Sequence, residues 1–180
     1  MATNLEFIKL SRGTSVTSLS VTDCFTSTYD VYKVVGHTAD YGTTGTGVTE
    51  LHFRLIDNGG SVISDNEYNS ARLMTKAEAG YDQDRFESLS YMYSSTALGD
   101  YENAGLVNYF FNPNNSSAYT MMIGQGSAGY NFSSTRFRGV KSIGVHKANE
   151  QITGFQVYSS AGTSFDLTLA VYGVKSWVAA

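Results

Sequence analysis

Gln151-Ile-Thr-Gly-Phe-Gln-Val-Tyr-Ser-Ser-Ala-Gly-Thr-Ser-Phe-Asp-Leu-Thr-Leu-Ala-Val-Tyr-Gly-Val-Lys-Ser-Trp177 decides the fold class of this chain. Ile152, Phe155, Val157 and Tyr158 form one β-rich run, and Phe165, Leu167, Leu169 and Val171 alternate through a second. Between them lies Ser159-Ser-Ala-Gly-Thr-Ser164, a connection of small residues that tolerate tight backbone angles. Alternation of period two around a Gly-bearing turn is the signature of strand, turn, strand.

Working outward, the same signal recurs at Leu5–Leu10, Val16–Val21, Tyr29–Val35, Val48–Ile56, Arg85–Tyr93, Leu106–Phe111, Ala118–Ile123 and Phe137–Val145. In Val48–Ile56, Leu51, Phe53 and Leu55 share one face and Glu50, His52 and Arg54 the other. The first set, with Phe165, Leu167 and Leu169, is expected in the core. The second, with Asp166 and Thr168, is expected to be more exposed. Asp57-Asn-Gly-Gly60, Asn112-Pro-Asn-Asn-Ser-Ser117 and Gly124-Gln-Gly-Ser-Ala-Gly129 read as connections, and Tyr41-Gly-Thr-Thr-Gly-Thr-Gly47 as a surface loop. Asp65–Gly80 carries the one hint of helix, through Ala71, Leu73, Met74, Ala77 and Ala79 before Gly80. The expectation is an all-β fold: a two-sheet antiparallel β-sandwich, jelly-roll-like, with at most one short helix near residues 65–80. No linker, charge block or repeat divides the 180 residues, so 1–180 reads as a single β-sandwich domain.

Composition narrows the function. A net charge of −4 lacks the basic face of a nucleic-acid module. No apolar stretch is long enough to span a membrane, and Met1-Ala-Thr-Asn4 lacks the form of a secretion signal, so synthesis and folding in a cytoplasm are expected. The single Cys24 has no partner for an intramolecular bridge and is expected to be a free thiol. Only 16% of residues are charged, while Gly, Ser, Thr, Asn and 13 Tyr fill the polar positions, a surface cheap to desolvate.

No pattern points to catalysis. His37, His52 and His146 form no metal-binding spacing, and Gly124-Gln-Gly-Ser-Ala-Gly129 does not match a serine nucleophile elbow. Asp65-Asn-Glu67 and Asp82-Gln-Asp84 are acidic pairs that calcium would use only with several more oxygen ligands. Catalytic residues, cofactor and metal are all read as none. Tyr41, Tyr81, Tyr101 and Tyr130 stand beside Gly, Asp or Asn and are the candidate interaction residues. The contact segments expected around them are Tyr41–Val48, Gly80–Arg85, Leu98–Ala104 and Gly124–Tyr130.

Three pieces of the chain carry a resemblance. Phe25-Thr-Ser-Thr-Tyr-Asp-Val-Tyr-Lys-Val-Val35 leads into Leu51-His-Phe-Arg-Leu-Ile-Asp-Asn-Gly-Gly-Ser-Val-Ile-Ser64 and Tyr68. Phe110-Phe-Asn-Pro-Asn-Asn-Ser-Ser-Ala-Tyr-Thr120 follows a β-run, and Ile152-Thr-Gly-Phe-Gln-Val-Tyr-Ser-Ser-Ala-Gly162 precedes Leu169-Ala-Val-Tyr-Gly-Val-Lys175. In this order the chain resembles small tailed-bacteriophage virion structural proteins: β-sandwich head decoration, fibre-like or tail-associated proteins. The resemblance implies a non-enzymatic virion component that forms homo-oligomers, trimers by preference. It would contact other virion proteins such as the major capsid or tail proteins. The alternative is a carbohydrate-binding module contacting host-surface glycans, which predicts a coplanar row of exposed aromatic rings.

Overall fold

The structure, a computed structural model, describes residues 4–39, 49–77, 80–98, 104–131 and 135–175. They form β1 (Leu5–Val16), β2 (Ser18–Val21), β3 (Val31–Ala39), β4 (Thr49–Asp57), β5 (Tyr68–Lys76) and β6 (Tyr81–Leu89). The chain continues through β7 (Met92–Leu98), β8 (Gly105–Phe111), β9 (Thr120–Asn131), β10 (Thr135–His146), β11 (Ile152–Ser159) and β12 (Phe165–Val174). All pairings are antiparallel, and the strands fall into two sheets ordered β1-β12-β3-β8-β9-β10-β5-β6 and β2-β11-β4-β7.

Setting aside the hairpins β5–β6 and β9–β10 leaves β1-β12-β3-β8 facing β2-β11-β4-β7. Each successive pair, β1/β2, β3/β4, β7/β8 and β11/β12, crosses from one sheet to the other at the same place in the order. That nesting is the jelly roll expected from the sequence. The two extra hairpins both join the large sheet beyond β8 and extend it from four strands to eight.

The core lies between the sheets, where alternation put it. Leu51, Phe53, Leu55, Phe165, Leu167 and Leu169 are all buried, and β12 alternates buried and half-buried along its whole length. Phe25, Phe53, Phe110 and Phe155 meet at the centre; the Phe110 and Phe155 rings stack at 5.6 Å. Tyr68 is buried in the same core in reach of two backbone partners: its hydroxyl donates to the Ile63 carbonyl and accepts from the Leu55 amide, each at 3.1 Å. Cys24 is a buried free thiol, as expected, and burial pushes it up to about 12.

Three readings are corrected. Residues 68–76 form β5, not a helix: they pair residue for residue with β10 from His146↔Tyr68 to Arg138↔Lys76, which leaves no room for helical backbone bonds. Gly124–Gly129 lies inside β9, because Gly124 faces Asn108 and Ser142, where a side chain would not fit. Arg85–Tyr93 is two strands, β6 and β7, separated at Ser90–Tyr91, where the chain leaves the large sheet for the small one.

Candidate functional site

Antiparallel pairing carries side chains on directly opposed residues to the same face, so the register fixes what the outer surface of the large sheet displays. One row crosses all eight strands: Phe7, Tyr172, Lys33, Tyr109, Ile123, Ile143, Ala71 and Arg85. A flanking row reads Leu5, Val174, Val31, Phe111, Met121 and Val145. On the other side run Leu10, Ala170, Val35, Val107, Gln125, Lys141, Leu73 and Gln83.

Such a face is normally polar in an antiparallel sandwich. Here Phe7, Met121, Ile123 and Ile143 are 58%, 51%, 52% and 57% exposed. Over β8, β9, β10, β5 and β6 the face is hollowed into a trough of about 960 Å³, floored by Ala71, Leu73, Tyr109, Ile123 and Ile143. It is continuous through Ala71, Ile123 and Ile143 with a second hollow of about 680 Å³ bearing Phe86 and Met121. Its charges are Lys141, Arg85 and the paired Arg72 and Asp84, with Lys33 on the same face 5.8 Å from the centre of the Tyr109 ring. Contiguous exposed apolar faces are where proteins commonly meet partners.

A second constellation lies where the β5–β6 end of the large sheet meets β4 and β7. His52 was expected at the surface, but it is 5% exposed. The chain passing from β6 to β7 lays Tyr91 flat on its imidazole, centroids 3.8 Å apart and 5° from parallel, while Tyr93 and Tyr158 meet it edge-on. Arg54 sits 4.3 Å over Tyr158 and donates to the Ser90 carbonyl, and Arg72 sits 4.2 Å over Tyr93 while bridging Glu50 and Asp84. Burial pushes the Glu50 carboxyl up, but the His52 hydrogen bond and the Arg72 charge outweigh it and hold the group below the usual carboxylate range. These aromatic rings stand at 80–86° to one another except for the His52–Tyr91 pair, so the cluster is packed against itself and offers no coplanar row for a sugar.

The third constellation joins Glu67, just before β5, His146, at the end of β10, and Glu150, before β11. His146 is fully buried, and its Nε2 lies 3.2 Å from Glu67 Oε2 and 3.4 Å from Glu150 Oε1. Burial raises the Glu150 carboxyl; His146 opposes this and Glu67, Asp57 and Asp65 add to it. A glycosidase pair needs an open gap between its carboxyls for the sugar, whereas the imidazole occupies this one. Glu67 and His146 are distant in sequence, which is why spacing could not find them.

Of the candidate interaction residues, Tyr81 opens the edge strand β6 and is 69% exposed. Tyr130 is in β9 opposite Arg136, and Tyr41 and Tyr101 lie outside the described residues. The segments Tyr41–Val48 and Leu98–Ala104 are likewise described only at their ends, if at all, while Gly80–Arg85 and Gly124–Tyr130 fall mainly in strands. The acidic pairs do not converge: Asp82 pairs with Lys76 and Asp84 with Arg72, while Glu67 is at the opposite end of the hairpin.

No family model matches the chain, and no curated protein is significantly similar to it. Among solved structures, a fructofuranosidase from Schwanniomyces occidentalis complexed with fructosylnystose is similar at a TM-score of 0.33 and 8% identity, over 98% of this chain and 35% of that one. The chain thus spans about a third of that enzyme's length, and a likeness of this size carries no functional argument.

Proposed function

We propose that this chain is a bacteriophage virion structural protein of the capsid-decoration or tail- and fibre-associated kind. It works by surface contact, without substrate turnover, and assembles with copies of itself, as a trimer by preference. The observation that carries the reading is the apolar outer face of the eight-stranded sheet. A chain with so few charges and with Phe7, Met121, Ile123 and Ile143 exposed on one sheet face lowers its free energy by covering that face. The occupant is a second copy of the chain. The trough lies toward the β6 edge, and Leu5, Phe7 and Leu10 stand exposed at the opposite, β1 edge. Two different patches at opposite ends are what a cyclic, head-to-tail contact requires. The jelly roll and the resemblance to small phage virion proteins supply the setting: a virion, with synthesis in the host cytoplasm.

Light scattering on the purified chain tests the assembly. The wild type should give a defined oligomer with a concentration-dependent melting temperature, and I123D should give a folded monomer whose melting temperature no longer depends on concentration, since that side chain is more than half exposed. The oligomer should add to particles lacking it with saturable stoichiometry. A wild-type monomer that ignores such particles overturns the reading, and one that also binds a polysaccharide replaces it with the glycan-binding alternative.

A further inference from the structure

We propose that Glu67, His146 and Glu150 form a binding site for a divalent transition-metal ion, one imidazole nitrogen and two carboxylate oxygens. This donor set suits zinc and its neighbours better than calcium or magnesium, which take oxygen almost alone.

The geometry comes first. Zinc bonds to nitrogen and oxygen are about 2.0–2.2 Å, so neighbouring ligand atoms around a tetrahedral ion stand about 3.3–3.5 Å apart. The His146 Nε2 to Glu67 and Nε2 to Glu150 separations are 3.2 and 3.4 Å, and all three donor atoms lie within 4.8 Å of one another. Those two separations match a tetrahedral ion, and the two carboxylate oxygens would close toward each other around it, a movement their partial exposure allows. The backbone already holds them: the Lys147 amide donates to the Glu67 carbonyl at 2.9 Å, tying the segment after β10 to the residue before β5. The His146 ring packs 4.8 Å from Tyr68, which fixes its plane. Glu67 and Glu150 remain 44% and 35% exposed, leaving a path from solvent and room for water as a further ligand.

A second observation is independent of the carboxylates. His146 Nδ1 is buried without a hydrogen-bond partner among the described residues, and so is Thr120 Oγ1. These two residues are directly opposed across the β9–β10 ladder, which puts their side chains on the same face. Metal on Nε2 would move the imidazole proton to Nδ1; the Thr120 hydroxyl shares that face without bonding to Nδ1 as the structure stands, and a small side-chain shift would bring it in to accept the proton. Ligating histidines commonly hold their second nitrogen in this way. Charge agrees: Glu67 and Glu150 face one imidazole with Asp57 and Asp65 close enough to be felt, so a dication would offset an excess of negative charge.

The experiment uses tag-free full-length protein stripped with chelator. Zinc at a hundredfold excess over its Kd should raise the melting temperature by about 5–10 °C, saturably. Cobalt should show the visible bands of a tetrahedral nitrogen–oxygen site. E67Q with E150Q, two partly exposed changes that leave the core intact, should abolish both signals. T120V should weaken binding by about tenfold to a hundredfold while cobalt still reports one imidazole. No zinc shift in the wild type, a shift that survives E67Q with E150Q, or an equal shift with calcium would overturn the proposal.

Discussion

At the scale of single residues, Glu50 shows how a charge is kept on a half-buried strand. It was legible in the sequence as a polar position of β4, sharing a face with His52 and Arg54. Its partner Arg72, and the Tyr91 ring that covers neighbouring His52, were not legible, because one arrives from β5 and the other from the β6–β7 connection, and no local pattern encodes where they land. The same blindness placed His52 at the surface: alternation says which way a side chain points, not what covers it. Glu50 sits below its ordinary range when folded, so its ionised form contributes stability that is fully present above about pH 4.3, the unfolded value, and is lost as pH falls through the lower folded value. Glu50→Gln keeps the shape and removes the charge. Urea denaturation at pH 7 should show the variant about 1.5–3 kcal/mol less stable, the range for a hydrogen bond to a charged group. The two proteins should converge as pH drops below about 4. An offset that stays constant across that range would mean packing, not charge, is what Glu50 provides.

At the scale of elements, β12 was read from its alternation, whereas β5 and β9 were not. Phe165–Val174 alternates cleanly and was found almost to the residue. In β5, Ser70 and Met74 point inward while Ala71 and Leu73 look onto the outer trough, so apolar residues on both faces erase the period of two and imitate a helix. In β9 the glycines imitate a loop. Gly124 is there because an added Cβ would stand 2.0 Å from Asn108 Oδ1 and 2.9 Å from Ser142 Oγ, in the buried layer beneath the sheet. Gly124→Ala should therefore cost about 1–3 kcal/mol by overpacking. Gly105→Ala, in the neighbouring strand with nothing within 4 Å of the new methyl, should be neutral or stabilise by about 0.4–1 kcal/mol through a less flexible unfolded chain. Equal costs at the two positions would show that strand propensity, and not the Asn108–Ser142 layer, selects glycine in β9.

At the scale of the whole molecule, the two extra hairpins widen one sheet of the jelly roll and supply the apolar face on which the proposed assembly rests. The four-strand core order is complete without β5, β6, β9 and β10, and those four strands carry most of the trough. Composition hinted at such a surface through scarce charge, but it suggested loops, because only pairing register shows that Tyr109, Ile123, Ile143 and Ala71 form one row. The character of the face then sets how assembly responds to salt. Apolar contact strengthens in salting-out solutions, whereas ion pairs at a surface weaken as the screening length falls from about 10 Å at 0.1 M to about 3 Å at 1 M. The copies each carry a net charge of −4 and repel one another weakly, a cost that salt also removes. Sedimentation at low protein concentration should therefore show the oligomer unchanged or enriched in 1 M sodium chloride, and enriched further in ammonium sulfate. Dissociation in 1 M sodium chloride would mean that Lys33, Lys141 and Arg85, rather than the apolar rows between them, hold the copies together.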